Sequence, residues 1–192
     1  IIYALVSLQR LNSLNSRIVT VDVPVQAAAE KMREALIGQD TYEKRYIILN
    51  SPDMRTLFLK RGEEFQHWMD ELHKLPDNRH LPLTQIVGLH KEYTDLFAQE
   101  VTMLRSGNRE GASRISNGPI KKKSEKIMEI LLQMSASANS ARDNKMQRIS
   151  FIGKSAFLMT ALLSNLSVIL GVIGSLAVTY HISSSIKKLS VA

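Results

Sequence analysis

From Leu5 to Leu49 apolar residues recur mostly every three or four positions, through Leu8, Leu11, Ile18, Val21, Val25, Ala28, Met32, Leu36, Tyr42 and Tyr46. That spacing is one face of an α-helix. Pro24 falls inside the run and removes one backbone donor, yet the pattern resumes in phase beyond it. The spacing therefore predicts one long helix with a kink at Asp22 and Pro24. The β-branched stretch Ile18-Val19-Thr20-Val21-Asp22-Val23 has strand propensity, but it lies between helical flanks and has no partner strand, so it is read as helix.

The first helix should stop near Asn50. Ser51-Pro52-Asp53 then supplies a capping hydroxyl, a proline for the first helical position and a carboxylate at the positive helix end. A second helix presents Met54, Leu57, Phe58, Phe65, Trp68, Met69, Leu72 and Leu75, and ends in the turn-rich Leu75-Pro76-Asp77-Asn78-Arg79-His80. A third runs from about Pro82 to about Ser106 with Leu83, Ile86, Val87, His90, Tyr93, Phe97, Val101 and Leu104 inward; Ser106-Gly107-Asn108 closes it. A fourth starts near Asn108, irregularly because of Gly111, Gly118 and Pro119. It then carries the seam Ile127, Leu131, Met134, Ala138, Ala141, Lys145, Arg148 and Ile152. Nothing beyond Pro119 breaks it, so one rod from about 120 to at least 182 is expected, roughly 95 Å long. Four amphipathic helices joined by short turns predict an all-α fold, an antiparallel up-down-up-down four-helix bundle whose fourth helix continues into a transmembrane helix.

That continuation is residues 155–180, which no Asp, Glu, Lys, Arg or His interrupts. About 20 predominantly apolar residues cross a bilayer as one helix. Gly171, Gly174 and Ser175 give it small side chains where another helix can approach. Ile1-Ile2-Tyr3-Ala4-Leu5-Val6 reads as the end of a first transmembrane helix that should pack beside it. Lys187 and Lys188 favour the cytoplasm beyond the span. The expected divisions are 1–9, the end of the first span; 10–154, an extracytoplasmic bundle; 155–181, the second span; and 182–192, a linker start.

Charge narrows the function classes. Lys and Arg exceed Asp and Glu by 25 to 18, but the excess is dispersed apart from Lys121-Lys122-Lys123, aromatics are only 6%, and no nucleic-acid motif accompanies it. No nucleic-acid partner is expected. The chain has no cysteine, which excludes disulfides, thiolate metal sites and cysteine nucleophiles. Glu64 and His67 form a single Glu-x-x-His, whereas a di-iron bundle needs two and further glutamates. His67 and His90 could face one another across a haem, as pairs in any bundle could. No metal, haem or other cofactor is expected. Phosphate loops, nucleophile elbows and catalytic triads are missing, so this segment carries no catalytic site. Arg17, Arg33, Arg45, Lys91 and Arg105 could form an anion site if they converged, and Lys145, Arg148 and Lys154 could meet lipid head groups. The ligand-binding residues stay open.

After the span, Ile182, Ser185, Ile186 and Leu189 follow the spacing of a HAMP linker opening, with serine in place of its proline. With Val21-Asp22-Val23-Pro24, the Asn-Ser-Pro-Asp break and Ser-Gly-Asn-Arg-Glu-Gly-Ala at the fourth helix, the chain resembles the four-helix-bundle sensor region of bacterial sensor histidine kinases and methyl-accepting chemoreceptors. The resemblance implies an inner-membrane homodimer with a periplasmic sensor, a small-molecule or ionic stimulus, and a cytoplasmic output. Histidine kinase is the preferred output. The alternatives are a chemoreceptor and a structural membrane-tethered bundle that reads no ligand.

Overall fold

A computed structural model describes residues 2–76 and 78–189. The helices are α1 (Ile2–Arg17), α2 (Val23–Leu49), α3 (Pro52–Lys74), α4 (Leu83–Arg105), α5 (Arg109–Ile115) and α6 (Lys121–Leu189). The fold is all-α, without strands among the described residues. Two π-helical turns, Ile18–Asp22 and Ser116–Ile120, join α1 to α2 and α5 to α6, so the bundle has four helical runs.

Each π turn lies at a helix-interior proline. Pro24 has no N–H to offer the carbonyl four residues back, and just before it the Val23 N–H reaches Ile18 O, five residues back. Backbone dihedrals stay right-handed helical through Arg17, Asp22 and Val23, so the proline is absorbed without a break. Pro119 lies within the second π turn.

The helix ends follow local chemistry. Asn50 closes α2 with φ 49° and ψ 36°, its N–H bonded to Tyr46 O. Asparagine tolerates that left-handed geometry better than most residues, and glycine tolerates it best. Asn50→Gly should hold or slightly raise stability, while Asn50→Val should cost about 1–2 kcal/mol in denaturant unfolding. Ser51 holds the N-cap position before Pro52, with Asp53 in the first turn, but its hydroxyl makes no capping bond, contrary to expectation. The working cap is Asn108, whose Oδ1 accepts the Gly111 N–H at 2.9 Å.

The chain divides into two compact units. Asn15–Lys145 holds the bundle core: Val25, Ala28, Met32, Leu36 and Tyr46 of α2 meet Phe58, Phe65, Met69 and Leu72 of α3, Ile86, Tyr93, Phe97 and Val101 of α4, and Ile127, Leu131 and Met134 of α6. At its centre Phe58 stacks on Phe97 with ring centroids 3.7 Å apart, and on Tyr93 at 5.7 Å. Four residues of the expected apolar faces are exposed instead, Leu5 at 60%, Leu8 at 64%, Leu49 at 61% and Val87 at 41%. Leu49 belongs to the last turn of α2, and Val87 adjoins Ile86, which takes the core position of that turn.

The other unit comprises Ile1–Leu14 and Met146–Ala192. Here α6 carries the apolar stretch, long and apolar enough to cross a membrane, with none of it buried. Ile182, Ser185, Ile186 and Leu189 fall in the final turns of α6, and their side chains lie outside the described residues.

Candidate ligand pocket and buried polar core

The bundle unit contains a pocket of about 540 Å³, within the range of small-molecule sites. Three elements build it. The first helical run contributes Arg17, Val21, Asp22 and Val25; the start of α4 and the turn before it contribute His80, Leu81, Pro82 and Gln85; and one face of α6 contributes the third wall. On α6 the lining residues Ile130, Met134, Ala138, Ala141 and Lys145 repeat every three or four positions, and the last four of them belong to the predicted seam. The first and fourth helical runs are therefore opposite walls of one cavity.

Across it Lys145 Nζ donates to Asp22 Oδ2 at 2.5 Å, with side-chain exposures of 21% and 7%. Lys145, anticipated at lipid head groups, instead bridges α6 to the π turn. Arg142 Nη1 makes a second bridge by donating to Gln26 Oε1 at 3.1 Å. Arg148 and Lys154 are exposed. Of the five cations expected to form an anion site if they converged, only Arg17 lines the pocket. Arg33 pairs with Glu30 on its own helix, and Arg45, Lys91 and Arg105 are exposed.

Further along the bundle lies a line of buried polar groups. His90 Nε2–H donates to Gln39 Oε1 at 2.9 Å, and the ring stacks on Phe65 at 4.0 Å. Burial lowers the His90 pKa to about 4. Tyr93 donates to Asp40 Oδ1 at 3.0 Å and Ser124 donates to Asp40 Oδ2 at 2.7 Å. Burial raises the Asp40 carboxyl despite these two donors, and burial also raises the Tyr93 hydroxyl. Lys44 Nζ donates to Ser116 Oγ at 2.5 Å.

Glu43 of α2 and Glu100 of α4 are both fully buried. With both ionised, their four carboxyl oxygens would have no hydrogen-bond donor. Lys44 Nζ lies 3.3 Å from Glu43 Oε2 without forming a hydrogen bond to it. Burial first, then a hydrogen bond to Glu43 and its charge, push Glu100 up to about 9, against the opposing charge of Lys44. A proton held on Glu100 supplies the missing donor, since its hydroxyl can donate to Glu43.

The residues weighed as metal or haem ligands have other partners or stand apart. His90 is committed to Gln39 and Phe65, His67 is exposed at the edge of Trp68, and Glu64 pairs with Arg61 at 2.5 Å. Among the described residues no group of three or more His, Asp or Glu could hold a metal ion.

Comparison with known proteins adds the fold. No family model and no curated protein matches the chain. A solved structure described as a periplasmic sensor domain of sensor histidine kinase is similar to it, with a TM-score of 0.61 at 14% identity, covering 71% of this chain and 95% of that one. The likeness is one of fold.

Proposed function

We propose that the chain is the extracytoplasmic sensor and second transmembrane segment of a bacterial inner-membrane receptor, acting as a homodimer and feeding a cytoplasmic histidine kinase. The observation that carries this is α6: a single helix, Lys121–Leu189, forms one wall of the pocket and continues into the apolar stretch. A stimulus at the bundle favours one of two positions of α6 relative to the first helical run. The shift passes along α6 through residues 155–180 to Ile182, Ser185, Ile186 and Leu189. The fold likeness to a periplasmic sensor domain supports it, as does the linker-like spacing after the span.

Deleting one residue within 182–186 rotates everything beyond it by about 100° on a helix of 3.6 residues per turn. Autophosphorylation of the full-length receptor should then lock on or off, while thermal unfolding of the bundle stays unchanged. Normal stimulus-dependent output in the deletion would sink the relay.

A further inference from the structure

We infer that the buried Glu43–Glu100 pair is a proton-binding site through which alkaline pH acts on the sensor: when the shared proton leaves, Lys44 turns from Ser116 to the carboxylates and frees the fourth helical run from the first. As a stimulus this rests on the proposed sensory function, but the proton and the lysine are measurable without any output.

The geometry has three parts. Both carboxyls are fully buried and their four oxygens meet no donor among the described residues, so a proton shared between them is what satisfies the pair. Lys44 stands between two acceptors: its Nζ donates to Ser116 Oγ at 2.5 Å and lies 3.3 Å from Glu43 Oε2, so a small rotation of one side chain exchanges one for the other. Its side chain is 46% exposed, which gives the departing proton a way from the buried pair to water. Ser116, in turn, is fully buried in the π turn that opens into α6, while Lys44 belongs to α2. Their bond therefore ties the fourth helical run to the first.

The charges around Glu100 leave this role to Lys44. On α2 the groups acting on Glu100 are Glu43 and Lys44. Asp40, one turn from Glu43, is held by Tyr93 of α4 and Ser124 of α6. Asp53 and Arg55 of α3, Arg109, Glu110 and Arg114 of α5, and Lys121 and Lys122 of α6 are exposed, and Lys123 is paired with Glu92. Two ionised carboxylates side by side in a buried site repel strongly, and the cation at hand is Lys44. Burial pushes Glu100 up to about 9, so the proton is held at neutral pH and leaves to water as pH climbs through that value.

The test uses the full chain in maltoside micelles, which contribute no carbonyl band. Infrared difference spectra are recorded from about pH 7 to 10.5, with dipolar EPR on labels at Thr41→Cys and Lys121→Cys, both exposed positions. The C=O stretch of one protonated carboxyl should vanish with a midpoint near pH 9, and the label separation should change with the same midpoint. Neither change should occur in Glu100→Gln. Ser116→Ala, which takes away the competing acceptor of Lys44, should lower the midpoint by about one unit, and Lys44→Met, which removes the cation, should raise it by about one unit. A core merely loosened by substitution would admit water and lower the midpoint in both variants, so the opposite directions are the signature of the lysine exchange. A band that persists through pH 10.5, a band lost alike in Glu100→Gln, a fixed label separation, or midpoint shifts of one sign in the two variants would each overturn the assignment. Those failures leave the relay intact; a pH-driven change at the π turn with no effect on kinase output would instead count against the relay and spare the site.

Discussion

Replacing Glu100 with glutamine should raise the melting temperature of the full chain at pH 8 by about 3–6 °C and flatten its decline between neutral and alkaline pH. Glu100 has an ordinary value of 4.5 and is raised to about 9 in the fold. A group raised on folding contributes stability that is fully present below its unfolded pKa and is lost as pH climbs toward the folded one. The loss therefore spans pH 4.5 to about 9. His90 works the other way. Its pKa falls from 6.5 to about 4, so stability present above 6.5 is lost as pH drops toward 4.

Between 4.5 and 6.5 these two one-proton slopes oppose each other, so the wild-type curve should be nearly level there and fall above it. Asp40, also raised by burial, adds a loss of the same sign as Glu100 at more acid pH. Glu100→Gln keeps a donor for Glu43 and removes the ionisation, so its curve should rise up to pH 6.5 under His90 alone and then stay level where the wild type falls. A variant that retains the alkaline decline would show that the proton is not on Glu100.

Phe58→Ala should cost about 3–5 kcal/mol, more than either Asn50 substitution or the loss of any exposed ion pair. Phe58 is 1% exposed and stacks on both Phe97 and Tyr93. Truncation removes contacts from α3 to α4 at the centre of the bundle and leaves a cavity that fixed helices cannot close. Against a domain stability of about 5–15 kcal/mol, that loss is enough to populate the unfolded state under mild denaturant. The half-buried Trp68, the sole tryptophan, reports unfolding by fluorescence. Phe58→Leu, which keeps most of the volume, should cost under half as much. Equal midpoints for Phe58→Ala and wild type would contradict the packing described.

The helices were legible because their determinants are local. Pro52 and Asn50 mark one boundary, Pro82 and Gly107 mark two more, and the apolar stripes predict most of the buried residues correctly. Prolines 24 and 119 could be placed, but not the π turns that accommodate them, since hydrogen-bond shift is a property of the whole turn. The pocket was not legible: Asp22 and Lys145 are 123 positions apart, and only folding brings them together.

The buried polar line left a trace that could have been followed. Leu36, Gln39, Glu43 and Tyr46 keep helical phase, as do Tyr93, Phe97, Glu100 and Leu104. A polar residue in phase with an apolar stripe is a candidate for burial, and Gln39, Glu43 and Glu100 are all buried. Which of them face one another depends on how α2 and α4 pack, and neither stripe contains that.

The proposed signalling rests on a stimulus at the bundle moving α6 relative to the first helical run. The absence of native cysteine allows spin labels at Ser16→Cys and Ser140→Cys alone, both positions being exposed within the bundle unit. Dipolar EPR on the full chain in nanodiscs, with and without a small ion, organic acid or amino acid that raises the melting temperature of the bundle, then reads the separation of those two helical segments. A change of about 1–2 Å is expected with such a compound and absent with one that leaves the melting temperature unaltered. An unchanged separation at saturation with a compound that stabilises the bundle would contradict that movement.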